Sequence, residues 1–311
     1  MNRTATVKQP VQTPLATEKQ SALLPWMILL GLSLIWGSSF ILMKRGLEVF
    51  SPIEVGALRV SLAGITLLPV ALYHFRKFPR KKFFDLFLCG LTNGLLPCVF
   101  FPLAQSHTES AVVAIVNALT PLSVILIGYL AFRAKVSRQQ AIGVAIGFAG
   151  SVVLVTAGAT EDSAGFNAYL GFVVLSTLSY GYNINHVKFR LSDMKPLTIT
   201  AFGLGLMLPV TLSYLFYFSD FVQKMQSGPQ AWEALGYLAI LGMAGTAMAL
   251  VIFNKLIQLA GPVFSGAVTY IVPFIAVIWG LFDGETLFLG HFVGMAIVIT
   301  GLLIANMRRN R

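Results

Sequence analysis

The chain has 311 residues, of which 56% are apolar and only 11% are charged, and its mean hydropathy is +0.78. Soluble domains carry about twice this charged fraction, so the composition excludes a water-soluble protein. The formal net charge is +10. Because the cations lie in short loops between apolar segments, they indicate orientation in a bilayer and argue against a nucleic-acid partner.

Apolar stretches of about 20 residues follow one another along most of the chain, and each is long enough to cross a hydrocarbon core of about 30 Å. Turn-forming residues separate them, for example at Ser51-Pro52 and Gly228-Pro229. The sequence therefore predicts an all-α, polytopic membrane protein with ten transmembrane helices. In chain order they are residues 26–44, 54–75, 83–103, 109–131, 138–157, 166–187, 197–218, 231–253, 261–282 and 286–307.

The distribution of Lys and Arg orients these helices. With the N-terminus inside, most of the 22 cations fall on the cytoplasmic side, and only Lys44, Arg45 and Lys224 fall on the outer side. Both termini are therefore predicted to be cytoplasmic, in a bacterial inner membrane. The polar stretch 1–25 is interpreted as a disordered tail, and the first apolar run as a retained helix because no small-residue cleavage site follows it.

The two halves of the chain resemble each other. Trp36-Gly37 in the first predicted helix corresponds to Tyr180-Gly181 in the sixth. Further matches follow in the same order, pairing Lys44 with Lys188, Pro52 with Pro196, Gly90 with Gly242, Pro121 with Pro273, Gly128 with Gly280 and Gly150 with Gly301. Five helices is an odd number, so the second half is predicted to be inverted relative to the first, as in many secondary transporters. The predicted units are a first repeat at 26–157, a linker at 158–165, a second repeat at 166–307 and a basic tail at 308–311.

Several of these motifs resemble a known family. The segment Ile35-Trp36-Gly37-Ser38-Ser39-Phe40, Ser51-Pro52 followed by Arg59, and Asn117-Ala118-Leu119-Thr120-Pro121 are similar to EamA-type members of the drug/metabolite transporter superfamily. The resemblance covers residues 26–307. It implies ten helices, a central cavity lined mainly by helices other than the fifth and tenth, and export or exchange of amino acids or related metabolites. One departure is that the acidic residue common after the fourth helix of each repeat is present as Glu285 but replaced near Arg133.

Three candidate site residues stand out by their position inside predicted helices. Arg59 is the only cation well inside one, where an unpaired guanidinium is costly. It is predicted either to bind a substrate carboxylate or to be structural, through snorkelling or an ion pair with Glu54 or Glu109. Trp36 and Tyr180 occupy equivalent mid-helix positions and are predicted either to line a cavity or to pack against neighbouring glycines.

Four further candidates, Asn93, Asn117, Asn183 and Tyr270, are polar side chains in apolar surroundings that should face the bundle or water. Asn117 is four residues before Pro121, which frees a backbone carbonyl. Pro273 repeats this arrangement four residues after Thr269, which is beside Tyr270. Freed backbone groups at mirrored positions favour a binding site, although local hydrogen bonds to hydroxyls or amides would explain them equally.

These observations predict a secondary transporter that moves small metabolites, such as neutral or aromatic amino acids, by alternating access. No catalytic, nucleotide-binding or metal-ligand motif is present in the sequence, so an enzyme is not expected and no cofactor or metal is predicted. A non-transporting membrane scaffold or sensor with the same fold remains the alternative. The expected partners are a small-molecule substrate and the lipid bilayer, and both a monomer and a homodimer are open.

Overall fold

The computed structural model describes residues 23–156, 168–285 and 289–306, and every regular element in these ranges is helical. The longer helices group into ten segments in the described part of the chain, and two short helical pieces, Phe75–Lys77 and Phe221–Met225, lie between them. The ten segments are α1 (Leu23–Leu47), α2 (Pro52–His74), α3 (Arg80–Gln105), α4 (Ser110–Phe132), α5 (Arg138–Thr156), α6 (Leu170–Arg190), α7 (Pro196–Tyr217), α8 (Pro229–Ala260), α9 (Pro262–Phe282) and α10 (Leu289–Asn306).

Seven of the described segments, α1 to α4 and α7 to α9, are long and apolar enough to cross a membrane. The prediction of an all-helical, polytopic membrane protein is therefore confirmed. In α6 the mean hydropathy is reduced by polar residues, and three of them, Asn183, Asn185 and His186, are buried inside the protein. The predicted linker and the predicted basic tail at 308–311 lie outside the described residues, as do positions 1–22 of the predicted N-terminal tail.

The end of α8 was predicted wrongly. The sequence placed it at residue 253, before Asn254 and Lys255, but the helix continues to Ala260 and turns at Gly261, whose φ is +83°. The Asn254 amide is buried and donates a hydrogen bond to Thr200 Oγ1 of α7 at 3.0 Å. A polar residue that is satisfied by a neighbouring helix in this way does not mark a loop.

Irregular turns interrupt α3 and α8, which were predicted as uniform helices. Each contains a π-helical segment, at Gly90–Leu95 in α3 and at Met243–Met248 in α8. In α3 the segment precedes Pro97, whose missing N–H cannot bond the Asn93 carbonyl. Such π segments are rare and are frequent at functional sites.

The helices α4 and α9 are also interrupted, α4 between Asn117 and Thr120 and α9 at Ala267.

The helices pack in partner pairs. The most extensive contact is between α5 and α10, and α2 packs against α7, α4 against α6 and α1 against α9. Glycines allow α5 and α10 to approach closely: a Cβ added to Gly301 would lie 2.5 Å from the backbone nitrogen of Gly147. This spacing is the close small-residue packing of membrane helices.

Candidate functional site

A cavity with an empty volume of about 580 Å³, counting the space at its mouth, lies between the helices of the two halves. Its described wall comes from α1 to α4, α6, α8 and α9, and α5 and α10 contribute no residue. The lining residues are Trp36, Ser39, Phe40, Met43, Arg59, Asn93, Phe101, Asn117, Thr120, Tyr180, Ile184, Phe253, Gly266 and Thr269.

Arg59 of α2 lines this cavity and is buried, with 7% of its surface exposed. Its Nε donates a hydrogen bond to Thr246 Oγ1 at 2.8 Å, in the π segment of α8. Thr246 Oγ1 in turn donates to the Leu241 carbonyl at 3.0 Å. The alternative of an ion pair with Glu54 is wrong, because Glu54 Oε2 binds Lys224 Nζ at 2.5 Å instead. The alternative of snorkelling to the interface is also wrong, since the side chain stays buried.

Trp36 of α1 lies in the cavity wall and contacts α8 of the second half. Its indole Nε1 donates to the carbonyl oxygen of Gly245 at 2.9 Å, and its ring meets Phe253 edge-on at 4.9 Å between centroids. Gly245 is in the π segment of α8. The irregular turn therefore supplies the acceptor that holds the indole in place.

Tyr180 of α6 lines the same cavity from the other half. Its ring stacks on Phe101 of α3, with centroids 6.0 Å apart and an interplanar angle of 29°. The structure thus brings to one cavity Trp36 and Tyr180, two residues that the sequence comparison of the halves had paired.

Asn93 and Asn117 also reach the cavity, and both are buried. The carbonyl that Pro121 frees at Asn117 is not left open, because Thr120 Oγ1 donates to it at 2.8 Å and lies 3.1 Å from Asn117 Oδ1. In α9, Thr269 Oγ1 donates to the Gly266 carbonyl at 2.9 Å. Hydroxyl groups in the cavity wall therefore satisfy the interrupted backbone on both sides.

Two candidate residues, Asn183 and Tyr270, are not among the residues of the cavity wall. Asn183 is fully buried, and its amide nitrogen lies 3.2 Å from Cys89 Sγ and 3.4 Å from Thr92 Oγ1 of α3. Its contacts tie α6 to α3.

Several lining residues were missed by the sequence analysis. In α1 they are Ser39, Phe40 and Met43, which follow Trp36 at spacings of three, four and seven residues. Residues at these spacings share one face of a helix. Extending the helix face of Trp36 along α1 would have identified these three residues. Extending the helix face of Tyr180 along α6 would have identified Ile184, which also lines the cavity.

Thr269 corresponds to the candidate Asn117 at the spacing that pairs Pro121 with Pro273, so the repeat would have found it. Phe101 and Phe253 correspond to each other at the same spacing, but neither was a candidate.

A second polar feature, which we call the Glu285 cluster, lies at one end of the protein and consists of Lys44, Arg45, Ser110, Asp283 and Glu285. Asp283 binds Lys44 Nζ at 2.6 Å and also pairs with Arg45. The hydrogen bond from Lys44 lowers the pKa of the Asp283 carboxyl.

Close to this cluster, burial and the charge of Glu285 raise the pKa of Glu109. Within the described residues, no three His, Cys, Asp or Glu side chains are grouped so that they could hold a metal ion.

The fold and cavity define a class: a polytopic helical membrane protein with a polar, aromatic-walled central cavity. The model of the EamA-like transporter family matches residues 24–156 and again residues 167–307. The chain belongs to the EamA-like transporter family. It is therefore a membrane transporter and not an enzyme.

Relatives support this assignment. The chain is 23% identical to the uncharacterized inner membrane transporter YedA of Escherichia coli (strain K12), over 90% of this chain and 89% of that protein. It is 26% identical to an S-adenosylmethionine/S-adenosylhomocysteine transporter of Chlamydia muridarum, over 48% of this chain and 50% of that protein. The predicted location in the inner membrane as a multi-pass protein is confirmed by the family, by the name of the Escherichia coli relative and by the apolar helices.

The fold is also similar to one solved crystal structure of a protein. The TM-score is 0.62 with 17% sequence identity, and the match covers 91% of this chain and 96% of the other. At this identity the likeness concerns the fold alone.

Proposed function

We propose that the protein is a secondary transporter that exports or exchanges small metabolites, such as neutral or aromatic amino acids, by alternating access. The observation that carries this proposal is the cavity, which Trp36 and Tyr180 line from corresponding positions of the two halves. A scaffold or sensor would tolerate a filled centre. A cavity walled by both halves is what alternating access requires.

The proposal includes ten membrane-spanning helices in two inverted repeats, and the packing supports it. The contact of α1 with α9 corresponds to that of α6 with α4, and the contact of α1 with α8 to that of α6 with α3. A Cβ on Gly37 would lie 2.5 Å from Ile275 Cβ, and one on Gly181 would lie 2.7 Å from the backbone of Ser123. In the sequence matches, Gly37 corresponds to Gly181 and Pro121 corresponds to Pro273. Ser123 and Ile275 each follow the matched proline by two residues, so the two contacts are counterparts.

The two π segments also support the repeat, because they lie at corresponding positions in the third helix of each half. A Cβ on Gly90 of α3 would meet the Gly203 backbone of α7 at 2.1 Å, and one on its counterpart Gly242 of α8 would meet Leu62 of α2 at 2.7 Å. Each third helix thus packs on the second helix of the opposite half. The family model, matching once in each half, supports the repeat independently.

Two inverted halves of similar structure can exchange conformations, giving inward-open and outward-open states of similar energy. The pair α5 and α10 packs tightly and contributes nothing to the cavity wall. In our mechanism this pair stays fixed while α1 to α4 and α6 to α9 rearrange around the substrate. Both termini are cytoplasmic in this arrangement, a placement that reporter fusions at residues 1 and 311 would test.

Counterflow uptake in proteoliposomes tests the function. Proteoliposomes that contain the purified full-length protein are loaded with one unlabelled member of a panel, and entry of the same compound in labelled form is followed. The panel includes neutral and aromatic amino acids, S-adenosylmethionine and quaternary amines. Saturable uptake of one class supports transport, and comparing uptake with and without a pH gradient reports on proton coupling. Absence of uptake by well-folded protein for the whole panel would contradict the proposed substrate range.

The variant Trp36→Ala connects uptake to the cavity. Removing the indole opens one wall, so we expect uptake to fall by about tenfold or more. Trp232→Ala is the matched control, because Trp232 is 64% exposed and does not line the cavity. Equal uptake by both variants would contradict the assignment of Trp36 to the substrate-binding site.

A further inference from the structure

The cavity wall contains one formal charge, on Arg59, and no acidic side chain among the described lining residues. The only hydrogen bond of the Arg59 side chain to another described residue is that from Nε to Thr246. Its two terminal Nη groups are therefore free to donate into the cavity. A buried guanidinium with two free donors is a site for a planar, bidentate anion such as a carboxylate.

The acid nearest in sequence on the same helix cannot compensate this charge. Glu54 lies at the first turn of α2, where it accepts from the Ser51 backbone N–H at 2.7 Å and binds Lys224 at 2.5 Å. A charged side chain in such a cavity is hydrated by water unless a ligand takes the place of that water. A ligand that displaces this water must supply an acceptor of its own, since a desolvated and unpaired charge is costly.

Several acceptors in and beside the wall are already engaged. Asn117 Oδ1 lies within hydrogen-bond distance of Thr120, the Gly266 carbonyl accepts from Thr269, and the Gly245 carbonyl accepts from Trp36. An ammonium group entering the cavity would find no carboxylate and would be repelled by Arg59. The remaining wall is largely aromatic, with Phe40, Phe101 and Phe253 among its members.

We infer that the cavity selects a monocarboxylate with an apolar body of aromatic size, and that an α-ammonium group is not needed for binding. This inference rests on the proposed transport function and deepens it by naming the substrate class. Arg59 binds the carboxylate through its Nη groups, and the rings around it contact the apolar body.

The test is a series of ligands that share a phenyl ring on a two- or three-carbon chain and differ in the polar end. Binding of 3-phenylpropionate, phenylalanine, 3-phenylpropanol and 2-phenylethylamine to the purified full-length protein is measured by isothermal titration calorimetry. We expect 3-phenylpropionate to bind at least as tightly as phenylalanine, and at least about tenfold more tightly than the alcohol or the amine, because only the carboxylates pair with Arg59. Binding of the amine or the alcohol as tight as that of the acid would overturn the inference. So would a preference for phenylalanine over 3-phenylpropionate of tenfold or more.

Variants connect the ranking to Arg59. Arg59→Gln should remove the preference for the acid over the alcohol, whereas Arg59→Lys should keep it in weaker form. Arg45→Gln, which removes one positive charge outside the cavity, is the control and should leave the ranking unchanged. An acid preference that persists in folded Arg59→Gln would contradict the assignment. Should Arg59→Gln fail to fold, the ligand series on the unmodified protein decides alone.

Binding and transport are separated by this design. The ranking is measured without transport, so a tight, acid-selective cavity with no counterflow would overturn the proposed function and leave the ligand class standing. Counterflow of amines or alcohols without a preference for the acid would support the proposed transport function and overturn the proposed ligand class.

Discussion

Lys44 Nζ lies 3.0 Å from Glu285 Oε1, joining the end of α1 to the loop that follows α9. The Glu285 carboxylate is fully buried, and it also accepts from the backbone nitrogens of Ser110 at 3.2 Å and of Ala111 at 3.0 Å. It therefore caps the first turn of α4 with a negative charge, where the helix dipole favours one. Three elements meet at this one carboxylate, on the side of the protein predicted to be outer.

The other half of the chain lacks this arrangement. At the corresponding position the sequence has Arg133, an exposed residue in the left-handed region with a φ of +53° at the end of α4. These contacts of Glu285 are thus present in one half of the chain and have no counterpart among the described residues of the other. In the proposed alternating-access mechanism, we expect this asymmetry to favour closure of the end of the protein where Glu285 lies.

The first prediction concerns stability. Glu285→Gln removes the charge that pairs with Lys44 and caps α4, so we expect a loss of about 1–3 kcal/mol in the free energy of unfolding. Thermal unfolding in detergent measures it. Glu48→Gln is the control, because Glu48 is exposed and pairs only with Arg45, and it should cost less than about 1 kcal/mol. Equal effects of the two variants would contradict the role of Glu285.

The second prediction concerns access to the cavity. Weakening the contacts of Glu285 should populate the state that is open at the Glu285 end. We expect Ser39→Cys, in the cavity wall, to react several-fold faster with a membrane-impermeant maleimide added outside when Glu285→Gln is also present. The two native cysteines, Cys89 and Cys98, are buried and give a low background. A slower or unchanged rate would refute outer gating by Glu285.

The third prediction concerns pH. The Asp283 pKa is lowered chiefly by its hydrogen bond from Lys44. A carboxyl whose pKa is lower in the folded than in the unfolded protein stabilises the fold above its ordinary pKa, about 3.9, and loses that contribution as the pH falls through the lower folded value. We therefore expect the stability advantage of the unmodified protein over Asp283→Asn to be constant near neutral pH, to decline as the pH falls below about 4, and to vanish only below the lowered pKa of the folded protein.

The difference between the two proteins reports mainly on Asp283. Glu109, whose pKa is raised first by burial and then by the charges of Glu285 and Asp283, loses a destabilising charge on acidification; burial and Glu285 act in both proteins, and only the part due to Asp283 differs. Lys44 and Arg45 stay protonated throughout this range. A stability difference that grew toward low pH would have the wrong sign for this assignment.

The fourth prediction concerns the contact of α5 with α10. Gly301→Ala would place a Cβ 2.5 Å from the Gly147 backbone nitrogen and 2.6 Å from the Gly143 carbonyl oxygen, so the helices must move apart. We expect a loss of about 1–3 kcal/mol, measured by thermal unfolding. Gly31→Ala in α1 is the matched control, because no atom lies within 4 Å of its added Cβ. Equal stability of the two variants would show that α5 and α10 are not closely packed.

The fifth prediction separates two asparagines. Asn93 lines the cavity, so Asn93→Ala should weaken binding of 3-phenylpropionate or raise the transport KM by about two- to tenfold. Asn183 is bound to Cys89 and Thr92 away from the cavity, so Asn183→Ala should lower stability by about 1–3 kcal/mol without changing affinity. The opposite pattern would mean that the two side chains exchange roles in the substrate-bound state.

Much of the fold could be predicted because it depends on local properties. Runs of apolar residues identified the positions of the helices, and Gly228-Pro229 and Gly261-Pro262 marked the starts of α8 and α9. The boundary at Asn254 was missed because that amide is satisfied by Thr200 of another helix. Likewise, the π segments of α3 and α8 depend on contacts that no local pattern reveals.

The sequence by itself determined that this is a helical membrane protein with two similar halves, since hydrophobic length and spaced Gly, Pro and aromatic matches are properties of the chain. It also identified Trp36, Arg59, Asn93, Asn117 and Tyr180, all of which line the cavity. Only the tertiary structure decided that Asn183 does not, and that Arg59 has no acidic partner among the residues that the structure describes. The physical reason is that the rotation of each helix, set by packing against its neighbours, determines whether a polar side chain meets the cavity or another helix.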